Sequence, residues 1–582
     1  MRASLPEIFP RPRRFKVTEG RLACDATVFA NWINQLPQTI DQASSRLNTS
    51  EPGAWQIIRD PKISTEGYHL ILQPKGLQLL AADARGLLYG CDTLRQIQRQ
   101  ADAAGMACLE IEDAPDLAVR GFMLDISRCK VPTREELLKL ITTAFHLRLN
   151  QFQLYVEHTF AFPGHETVWG QASPLTVEDL QALGARCYEL GIEWVPNLNT
   201  FGHLERWLRH EPYRQLAECP NGWTHPLTNQ FKPNPSTLFP SEASLKFVAS
   251  LLDAYLPHFT SSQVNIGGDE PWELGQGRSR TAVAERGKHR VYLEFLNQIH
   301  ELVRARGKRM QFWGDILLED LALAGEAPQE ALPVVWGYDP GHPFTAQCGR
   351  LANLGRDYLV APGASNWQSF TGRLPLALQN VYEAVNAAQQ FRAQGVLMTS
   401  WGDNGNHQPW SSFWLPLATL AARAWNNAPD ASPNHIGGLA AFLDNHADAP
   451  AVLAALEHLG ALDSQVTYAI RNKSLSWEGL TAPAAALEAL RAATSPAELN
   501  RACSWLDQAQ PLLAAIKDEK VRTELNTGAA LARAGLLRLL GKPRSATDAQ
   551  DLEIRYRTTW LSRARPGGLD ESVTALNLGD EA

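Results

Sequence analysis

The chain has 582 residues, and at about 150 residues per domain this length favours two to four domains, of which we expect three. Its 54 Lys and Arg against 62 Asp and Glu give a formal net charge of -8, and no block of like charge suits nucleic acid or an anionic membrane. No apolar run has the length of a signal-peptide core or a membrane span, so we expect a cytoplasmic protein that binds neither nucleic acid nor membrane.

The cysteines and histidines show no metal-binding pattern. The 8 cysteines are scattered without a C-x-x-C pair, at positions 24, 91, 108, 129, 187, 219, 348 and 503. This spacing fits neither a zinc ribbon nor a disulfide framework, so we expect reduced thiols. The sequence also lacks H-x-H and H-x-x-E-H spacings. We therefore predict no metal and no other cofactor.

The first 115 or so residues predict a small N-terminal α+β domain, residues 1–115. Strand-like runs at 67–72 and 76–82 are followed by a helical pattern that starts at Asp83. Nothing in this segment indicates catalysis.

From Val119 the sequence alternates short apolar strands with amphipathic helices, which predicts a (β/α)8 TIM barrel over residues 116–426. The predicted strands are 119–125, 151–156, 193–198, 264–266, 310–313, 333–336, 358–361 and 396–400. Thr133 with Glu136, and Thr176 with Asp179, have the spacing of a capping box at a helix start. Residues 427–582 are rich in Ala and Leu and predict an α-helical C-terminal domain.

Polar and aromatic residues follow the predicted strands, where a barrel presents its site. In chain order they are Asp125, Arg128, Glu157, His158, His203, Asp269, Glu270, Asp315, Trp336, Tyr338, Asn366, Trp367, Trp401 and Asp403. Asp125 and Arg128 lie three residues apart, and we interpret them as a structural ion pair.

Asp269 and Glu270 are the first candidates for chemistry. Neighbouring side chains on a strand point to opposite faces, so both can reach one pocket only beyond the strand end. Gly267 and Gly268 precede them and allow the chain to turn there. By itself the pattern also fits a turn with two solvated acids.

Several motifs in order resemble glycoside hydrolase family 20, the β-N-acetylhexosaminidases. Gly-Gly-Asp-Glu at 267–270 resembles the end of the family's fourth strand, and Val-Arg-Gly-Phe-Met-Leu-Asp-Ile-Ser-Arg at 119–128 resembles its first. Further similarity lies in Leu-Asn at 149–150, Val-Pro at 195–196, Phe-Gly-His at 201–203, Trp-Gly-Asp at 401–403 and Ala-Asp-Ala-Arg-Gly-Leu-Leu-Tyr-Gly at 82–90. The resemblance covers about residues 60 to 420.

The resemblance implies a retaining exo-hydrolase that releases terminal β-linked N-acetylglucosamine or N-acetylgalactosamine by substrate-assisted catalysis. Glu270 would be the acid and base, which requires a raised pKa, and Asp269 would orient the 2-acetamido group of the sugar. His203 would hydrogen-bond the acid.

The resemblance also implies a set of substrate-binding residues. Arg120 would hold the sugar's 3- and 4-hydroxyls, and Asp403 its 4- or 6-hydroxyl. Trp313, Trp336 and Trp401 would enclose the acetamido methyl and the sugar face.

The sequence departs from the family in three places. Glu157 stands one position away from the expected acidic partner of His203, and Asn197 and Asn199 replace acidic residues of the third strand. The tyrosine that donates to the acetamido oxygen has no clear equivalent, which leaves Tyr338, Asn366 and Trp367 as candidates.

The sequence also allows two alternatives, a carbohydrate-binding barrel without turnover and a metal-dependent barrel hydrolase. The expected partner is a glycan that ends in N-acetylhexosamine. A homodimer is left open.

Overall fold

The computed structural model describes residues 6–22, 33–47, 55–101, 105–429, 433–542 and 544–578. The described N-terminal elements are β1 (Arg14–Leu22), α1 (Ile40–Leu47), β2 (Trp55–Arg59), β3 (Tyr68–Gln73), β4 (Gly76–Ala81), α2 (Ala84–Gln98) and β5 (Met106–Asp113). The strands form one sheet in the order β1-β5-β3-β4-β2. Asp83 begins α2 by accepting a hydrogen bond from the amide of Gly86. An α+β arrangement therefore precedes the barrel.

Parallel strands then form a closed barrel. The barrel strands in chain order are β6 (Val119–Asp125), β7 (Gln151–Val156), β8 (Glu193–Trp194), β9 (Asn197–Leu198), β12 (Gln263–Asn265), β13 (Arg309–Trp313), β14 (Leu332–Trp336), β15 (Leu359–Ala361) and β16 (Gly395–Ser400). Between β9 and β12 lie two strands outside the barrel, β10 (Trp223–Thr224) and β11 (Phe231–Lys232). The pairing of β6 with both β7 and β16 closes the sheet. β10 and β11 form a separate hairpin. The predicted TIM barrel is confirmed.

The third barrel strand differs from the single run predicted at 193–198. It is divided into β8 and β9, with Val195 and Pro196 between them. Proline has no N–H to donate to a ladder, so it interrupts regular pairing at this point. β8 and β9 both pair with β7, so together they fill one position of the barrel.

Helices surround the barrel between its strands. They are α3 (Arg134–His146), α4 (Glu166–Trp169), α5 (Val177–Glu189), α6 (Glu205–Leu208), α7 (Glu211–Arg214), α8 (Glu242–Tyr255), α9 (Arg280–Arg286), α10 (Lys288–Arg304), α11 (Asp315–Glu319), α12 (Leu321–Ala324), α13 (Phe344–Asn353), α14 (Leu374–Gln390) and α15 (Trp414–Trp425), with 3-10 turns at Leu256–His258 and Trp410–Phe413.

The two predicted capping boxes differ in the structure. The capping box of Thr176 and Asp179 is present at the start of α5. Thr133 caps α3 through the amide of Glu136, but the Glu136 carboxylate turns away and pairs with Arg563 and Lys520. The second half of that predicted box is therefore wrong, because an ion pair with the C-terminal helices takes the carboxylate.

The chain ends in helices that pack on the barrel. They are α16 (His435–Ala440), α17 (Ala449–Gly460), α18 (Leu475–Thr481), α19 (Ala484–Ala493), α20 (Pro496–Ala515), α21 (Glu519–Leu539), α22 (Ala546–Leu561) and α23 (Leu569–Thr574), with 3-10 turns at His446–Asp448 and Leu462–Gln465. The Arg563 guanidinium lies between Glu136 of α3 and Glu524 of α21, at 2.8 and 2.7 Å. This buried ion triad ties the C-terminal helices to the barrel.

Two further expectations can be compared with the described residues. Cysteines 91, 108, 129, 187, 219, 348 and 503 are free thiols, and Cys24 lies outside the described ranges. None of the helices that the structure describes has both the length and the apolarity that crossing a membrane requires.

Candidate active site

A cavity of about 600 Å³ opens at the carboxyl ends of the barrel strands, and we call it the strand-end cavity. Its lining includes Arg128 after β6, Glu157 after β7, His203 after β9, Glu270 after β12 and Asp403 after β16. Parallel strands deliver these side chains to one face because each strand ends at the same edge of the barrel. Four of the five, all except Arg128, were predicted site residues.

The two glycines before the carboxylates turn the chain out of the barrel. Gly267 and Gly268 have φ of 71° and 87°, and Glu270 itself has φ of 46°. A Cβ on Gly267 would lie 1.7 Å from Oδ1 of Asn199, so both the backbone angle and the space require glycine there. The turn places Glu270 in the lining of the cavity, with Asp269 directly beside it.

His203 lies against both carboxylates. Its Nε2 is 3.2 Å from Oδ2 of Asp269 and 3.7 Å from Oε2 of Glu270. Burial lowers the pKa of His203, but the charge and hydrogen bond of Asp269 outweigh this effect and raise the pKa to about 9. The imidazole is therefore charged at neutral pH and forms an ion pair with Asp269.

Glu270 is in the electrostatic state that a general acid needs. Burial raises the pKa of its carboxyl, His203 opposes that shift, and the negative charges of Asp269 and Asp403 add to it. A raised pKa keeps the carboxyl protonated closer to neutral pH, when it can donate a proton.

Asp315, at the start of α11, is a third acid beside this pair. Its Oδ2 accepts a hydrogen bond from the amide of Glu270 at 3.4 Å. Burial raises the pKa of Asp315 well above its ordinary value, and the charges of Asp269 and Glu270 raise it further. This shift favours the neutral carboxyl, so Asp315 can support the turn with less negative charge beside the pair. The position of Asp315 after a strand is visible in the sequence, but the sequence indicated no role for it.

Arg128 lines the cavity, although the sequence indicated only its ion pair with Asp125. It makes the expected ion pair with Asp125 at 3.0 Å, but it also lies 3.2 Å from Oε1 of Glu157. Its guanidinium stacks over the rings of Tyr155 and Trp401, at 4.6 and 5.1 Å from their centroids. Arg128 therefore presents a fixed fork of N–H donors to the cavity.

The structure corrects the predicted role of Arg120. Arg120 is the second residue of β6, at the amino end of the strand, and its side chain is fully buried. The guanidinium pairs with Glu66 and donates to the carbonyls of Arg148 at 2.7 Å and Leu117 at 2.9 Å. Arg120 joins the barrel to Glu66, in the segment before β3, and cannot reach a sugar in the strand-end cavity.

The predicted aromatic residues cluster beside the carboxylates. Trp313, Trp367 and Trp401 belong to one buried apolar group, and Trp336 and Tyr338 pack against it. Trp336 stacks on Tyr338 at 5.2 Å, and Trp313 lies 5.8 Å from Trp401. The buried indole N–H of Trp313 has no hydrogen-bond partner among the described residues, whereas the indole of Trp336 interacts with Asp315 and that of Trp401 with Tyr338. The Trp313 donor remains available to a polar ligand.

The three candidate donors to the acetamido oxygen differ in their contacts. The amide nitrogen of Asn366 donates to the hydroxyl of Ser412 at 3.1 Å, and its amide oxygen accepts from the hydroxyl of Ser400 at 3.2 Å. Both ends of the side chain are therefore engaged. Tyr338 lies near both Asp269 and Glu270, whose charges add to the burial that raises its pKa. Tyr338 is the better-placed candidate of these two, and Trp367 stays in the aromatic cluster.

Glu157 is held by polar partners rather than by a direct contact with His203. Its Oε1 accepts a hydrogen bond from the hydroxyl of Tyr155 at 2.9 Å, and Asn199 in turn donates to that hydroxyl. Burial raises the pKa of Glu157, while Arg128 and His203 lower it. Glu157 interacts with His203 through charge and not through a direct contact, because Arg128 lies between them.

The C-terminal helices also reach the cavity. Glu571 of α23 lines it and pairs with Arg206, which follows His203, at 2.8 Å. Ser572 donates to the carbonyl of Gly405 and accepts from His407 at 2.9 Å. The C-terminal part therefore supports two loops at the rim of the site, which the sequence did not predict.

His203, Asp269 and Glu270 also have the arrangement of a metal-binding trio. One ligand atom from each residue lies within 4.8 Å of the others. The same three groups form the ion pair of His203 with Asp269 and the Glu270 carboxyl of raised pKa described above.

The pattern described as "Glycosyl hydrolase family 20, catalytic domain" matches residues 118–427, which is more than half of the chain. The pattern "Glycosyl hydrolase family 20, domain 2" matches residues 5–114.

Characterised relatives are distant. A Beta-hexosaminidase of Akkermansia muciniphila is 26% identical over 279 residues, which cover 44% of this chain and 56% of the relative. A Lacto-N-biosidase of Bifidobacterium bifidum is 24% identical over 295 residues, 46% of this chain and 25% of the relative. The chain thus spans between a quarter and just over half the length of these relatives.

Solved structures share the fold. The chitobiase of Flavobacterium johnsoniae aligns with a TM-score of 0.60 and 17% identity, over 98% of this chain and 99% of its own. An exo β-N-acetylglucosaminidase of Vibrio harveyi aligns with a TM-score of 0.58 and 16% identity, over 78% of each chain. The likeness extends across the barrel and, in the first case, nearly the whole chain.

Proposed function

Because the chain belongs to glycosyl hydrolase family 20, we propose that it is a retaining exo-acting β-N-acetylhexosaminidase that releases terminal β-linked N-acetylglucosamine or N-acetylgalactosamine. The observation that carries the proposal is the adjacent pair Asp269 and Glu270 at the strand ends, with Glu270 held at a raised pKa beside a charged His203. The characterised hexosaminidase relatives support it.

In the first step the oxygen of the substrate's own 2-acetamido group attacks C1. Glu270 donates its proton to the departing glycosidic oxygen, so the bond to the leaving group breaks as the oxazolinium ring forms. Asp269 accepts a hydrogen bond from the amide N–H and offsets the positive charge that develops on the acetamido group. His203, paired with Asp269, holds that carboxylate in place.

In the second step water opens the oxazolinium ring. Glu270, now ionised, takes the proton of the water, and the oxygen attacks C1 from the side that the leaving group left. The product keeps the β configuration and Glu270 regains its proton. One carboxyl therefore serves as acid and then as base, while Asp269 stays an anion throughout.

Arg128, Asp403 and Glu157 would bind the hydroxyls of the sugar ring. They line the same cavity as Glu270, and the Arg128 fork lies between carboxylates. Arg128 thus takes the role that the sequence had assigned to Arg120. The aromatic cluster would enclose the acetamido methyl, with Tyr338 as donor to its oxygen.

The test is hydrolysis of aryl β-N-acetylglucosaminides and β-N-acetylgalactosaminides, with the first-formed anomer followed by NMR. Glu270→Gln should lower kcat at least about 100-fold, because Gln cannot donate a proton. Glu285→Gln, at an exposed acid on α9, is the matched control and should leave the rate unchanged. Binding of an oxazoline-mimicking inhibitor without turnover would instead favour a carbohydrate-binding protein.

A metal-dependent hydrolase is the second candidate, favoured by the trio of His203, Asp269 and Glu270. Exhaustive chelation separates the two. Full activity after chelation supports the substrate-assisted reaction, whereas activity that disappears and returns with added Zn²⁺ supports the metal.

We also propose a division into three domains, a homodimer and a cytoplasmic location. The division into domains at residues 115 and 427 can be tested by limited proteolysis, and a homodimer by light scattering. The cytoplasmic location can be tested by fractionation.

A further inference from the structure

The strand-end cavity continues past Glu270 along three rings that the proposed chemistry does not use. Trp272, His225 and Trp223 all line it. The ring centroids of His225 and Trp272 lie 5.6 Å apart, and those of Trp223 and His225 lie 5.4 Å apart. We call these three residues the aromatic row.

The row begins at the general acid. Trp272 is two residues beyond Glu270, its amide donates to the Glu270 carbonyl at 2.7 Å, and its side chain hydrogen-bonds the Glu270 carboxyl. The group that Glu270 protonates is the oxygen of the leaving group. Whatever is attached to that oxygen must therefore pass close to Trp272.

The other two rings lie at the hairpin of β10 and β11. Nδ1 of His225 accepts from the amide of Leu227 at 3.2 Å, and the indole of Trp223 donates to the carbonyl of Asn234 at 3.1 Å. These bonds fix both rings before any ligand arrives, so little side-chain entropy is lost on binding.

The exposed ring faces suit the apolar face of a sugar. Trp272 and His225 are half-buried, so each keeps a face towards the cavity, while Trp223 is buried beneath His225. Burial and the charge of Lys232 lower the pKa of His225, which leaves its ring neutral near pH 7. A neutral aromatic surface binds C–H groups, whereas the hydroxyl edge of a sugar can face water or Ser236, which also lines the cavity.

We propose that the aromatic row is a leaving-group subsite that stacks the sugar next to the scissile bond, so that the enzyme prefers oligosaccharides over substrates with a small leaving group. This inference rests on the proposed function, because the row lies beside the leaving group only if Glu270 is the general acid.

The experiment compares two substrates that differ only in the leaving group. One is the β-1,4-linked trisaccharide of N-acetylglucosamine, and the other is methyl β-N-acetylglucosaminide, whose leaving group has no ring. The measured quantity is the ratio of kcat/KM for the two substrates, which does not depend on the fraction of folded enzyme in a preparation.

His225→Asn removes the ring but keeps an acceptor for the Leu227 amide. We expect the ratio to fall about tenfold, mostly through the trisaccharide, while the rate on the methyl glycoside stays within about twofold. Leu227→Ala is the matched control, because Leu227 lies on the same hairpin, is 74% exposed and does not line the cavity. Its ratio should equal that of the wild type.

An unchanged ratio in His225→Asn overturns the subsite, even when both substrates are cleaved. Failure of the wild type to cleave either substrate contradicts the proposed function instead. A fall in the ratio for Leu227→Ala as large as that for His225→Asn would assign the effect to the hairpin as a whole and also overturn the subsite.

Discussion

Removal of the negative charge of Asp269 should lower the pKa of His203, because the two side chains form an ion pair. Burial lowers the pKa of His203, yet the charge and hydrogen bond of Asp269 raise it to about 9. Asp269→Asn keeps the shape of the side chain and removes its charge. The pKa of His203 should then fall to about 6.5 or below, because burial and the charge of Arg128 are opposed only by the weaker effect of Glu270.

A fall in this pKa from about 9 to about 6.5 corresponds to about 3 kcal/mol. At pH 7 the protonated fraction of His203 should drop from about 99% to about a quarter or less. The folded-state pKa lies above the unfolded value, so the stabilisation is complete below about pH 6.5 and is lost as the pH rises through 9. The wild type should lose up to about 3 kcal/mol of unfolding free energy across this window, and the variant should not.

NMR titration of the histidine ring protons, assigned with His203→Gln, measures the two pKa values directly. Urea unfolding below pH 6.5 and above pH 9 measures the loss of stability. The same variant should lower kcat at least about 100-fold on an aryl substrate, because the amide of the intermediate loses its anionic partner. Asp253→Asn, at an exposed acid on α8, is the control. Titration of wild-type His203 near 6.5, or an equal pKa in both proteins, would refute the reasoning.

Three other substitutions test separate parts of the structure. Arg128→Lys loses the planar fork and should lower kcat/KM about 10- to 100-fold, mainly through KM; an unchanged KM in steady-state assays would contradict sugar binding by Arg128. Gly267→Ala brings a Cβ against Asn199 and should cost about 2 to 4 kcal/mol in urea unfolding; a stable variant would refute the close approach. Glu524→Ala leaves Arg563 with one of its two buried partners and should cost about 3 kcal/mol by the same measurement, whereas a loss below about 1 kcal/mol would show that the triad contributes little.

The first-strand motif contains two arginines, Arg120 and Arg128, and the resemblance pointed to Arg120 as the sugar-binding residue. The two positions differ in a way that the sequence could have shown, since a barrel places its site at the carboxyl ends of its strands. Arg120 is the second residue of β6 and Arg128 follows its end, so only Arg128 can reach the cavity.

Other parts of the site had no signal in the sequence. Asp315 was visible as an acid after a strand, but its contact with the Glu270 amide depends on how two neighbouring loops approach each other. The aromatic row joins Trp272 to residues about 50 positions earlier, and Glu571 reaches Arg206 from the last described helix. Such pairings depend on the path of loops over the barrel, which local residue patterns do not encode.

The sequence by itself determined the barrel, the position of the carboxylate pair and the family, because these depend on local periodicity, on a glycine turn and on motifs in a fixed order. The tertiary structure alone decided which arginine faces the cavity, which groups set the pKa of His203 and Glu270, and how the C-terminal helices reach the rim. Electrostatic shifts and cavity walls depend on distances between residues far apart in the chain, and those distances exist only once the strands have closed into a barrel.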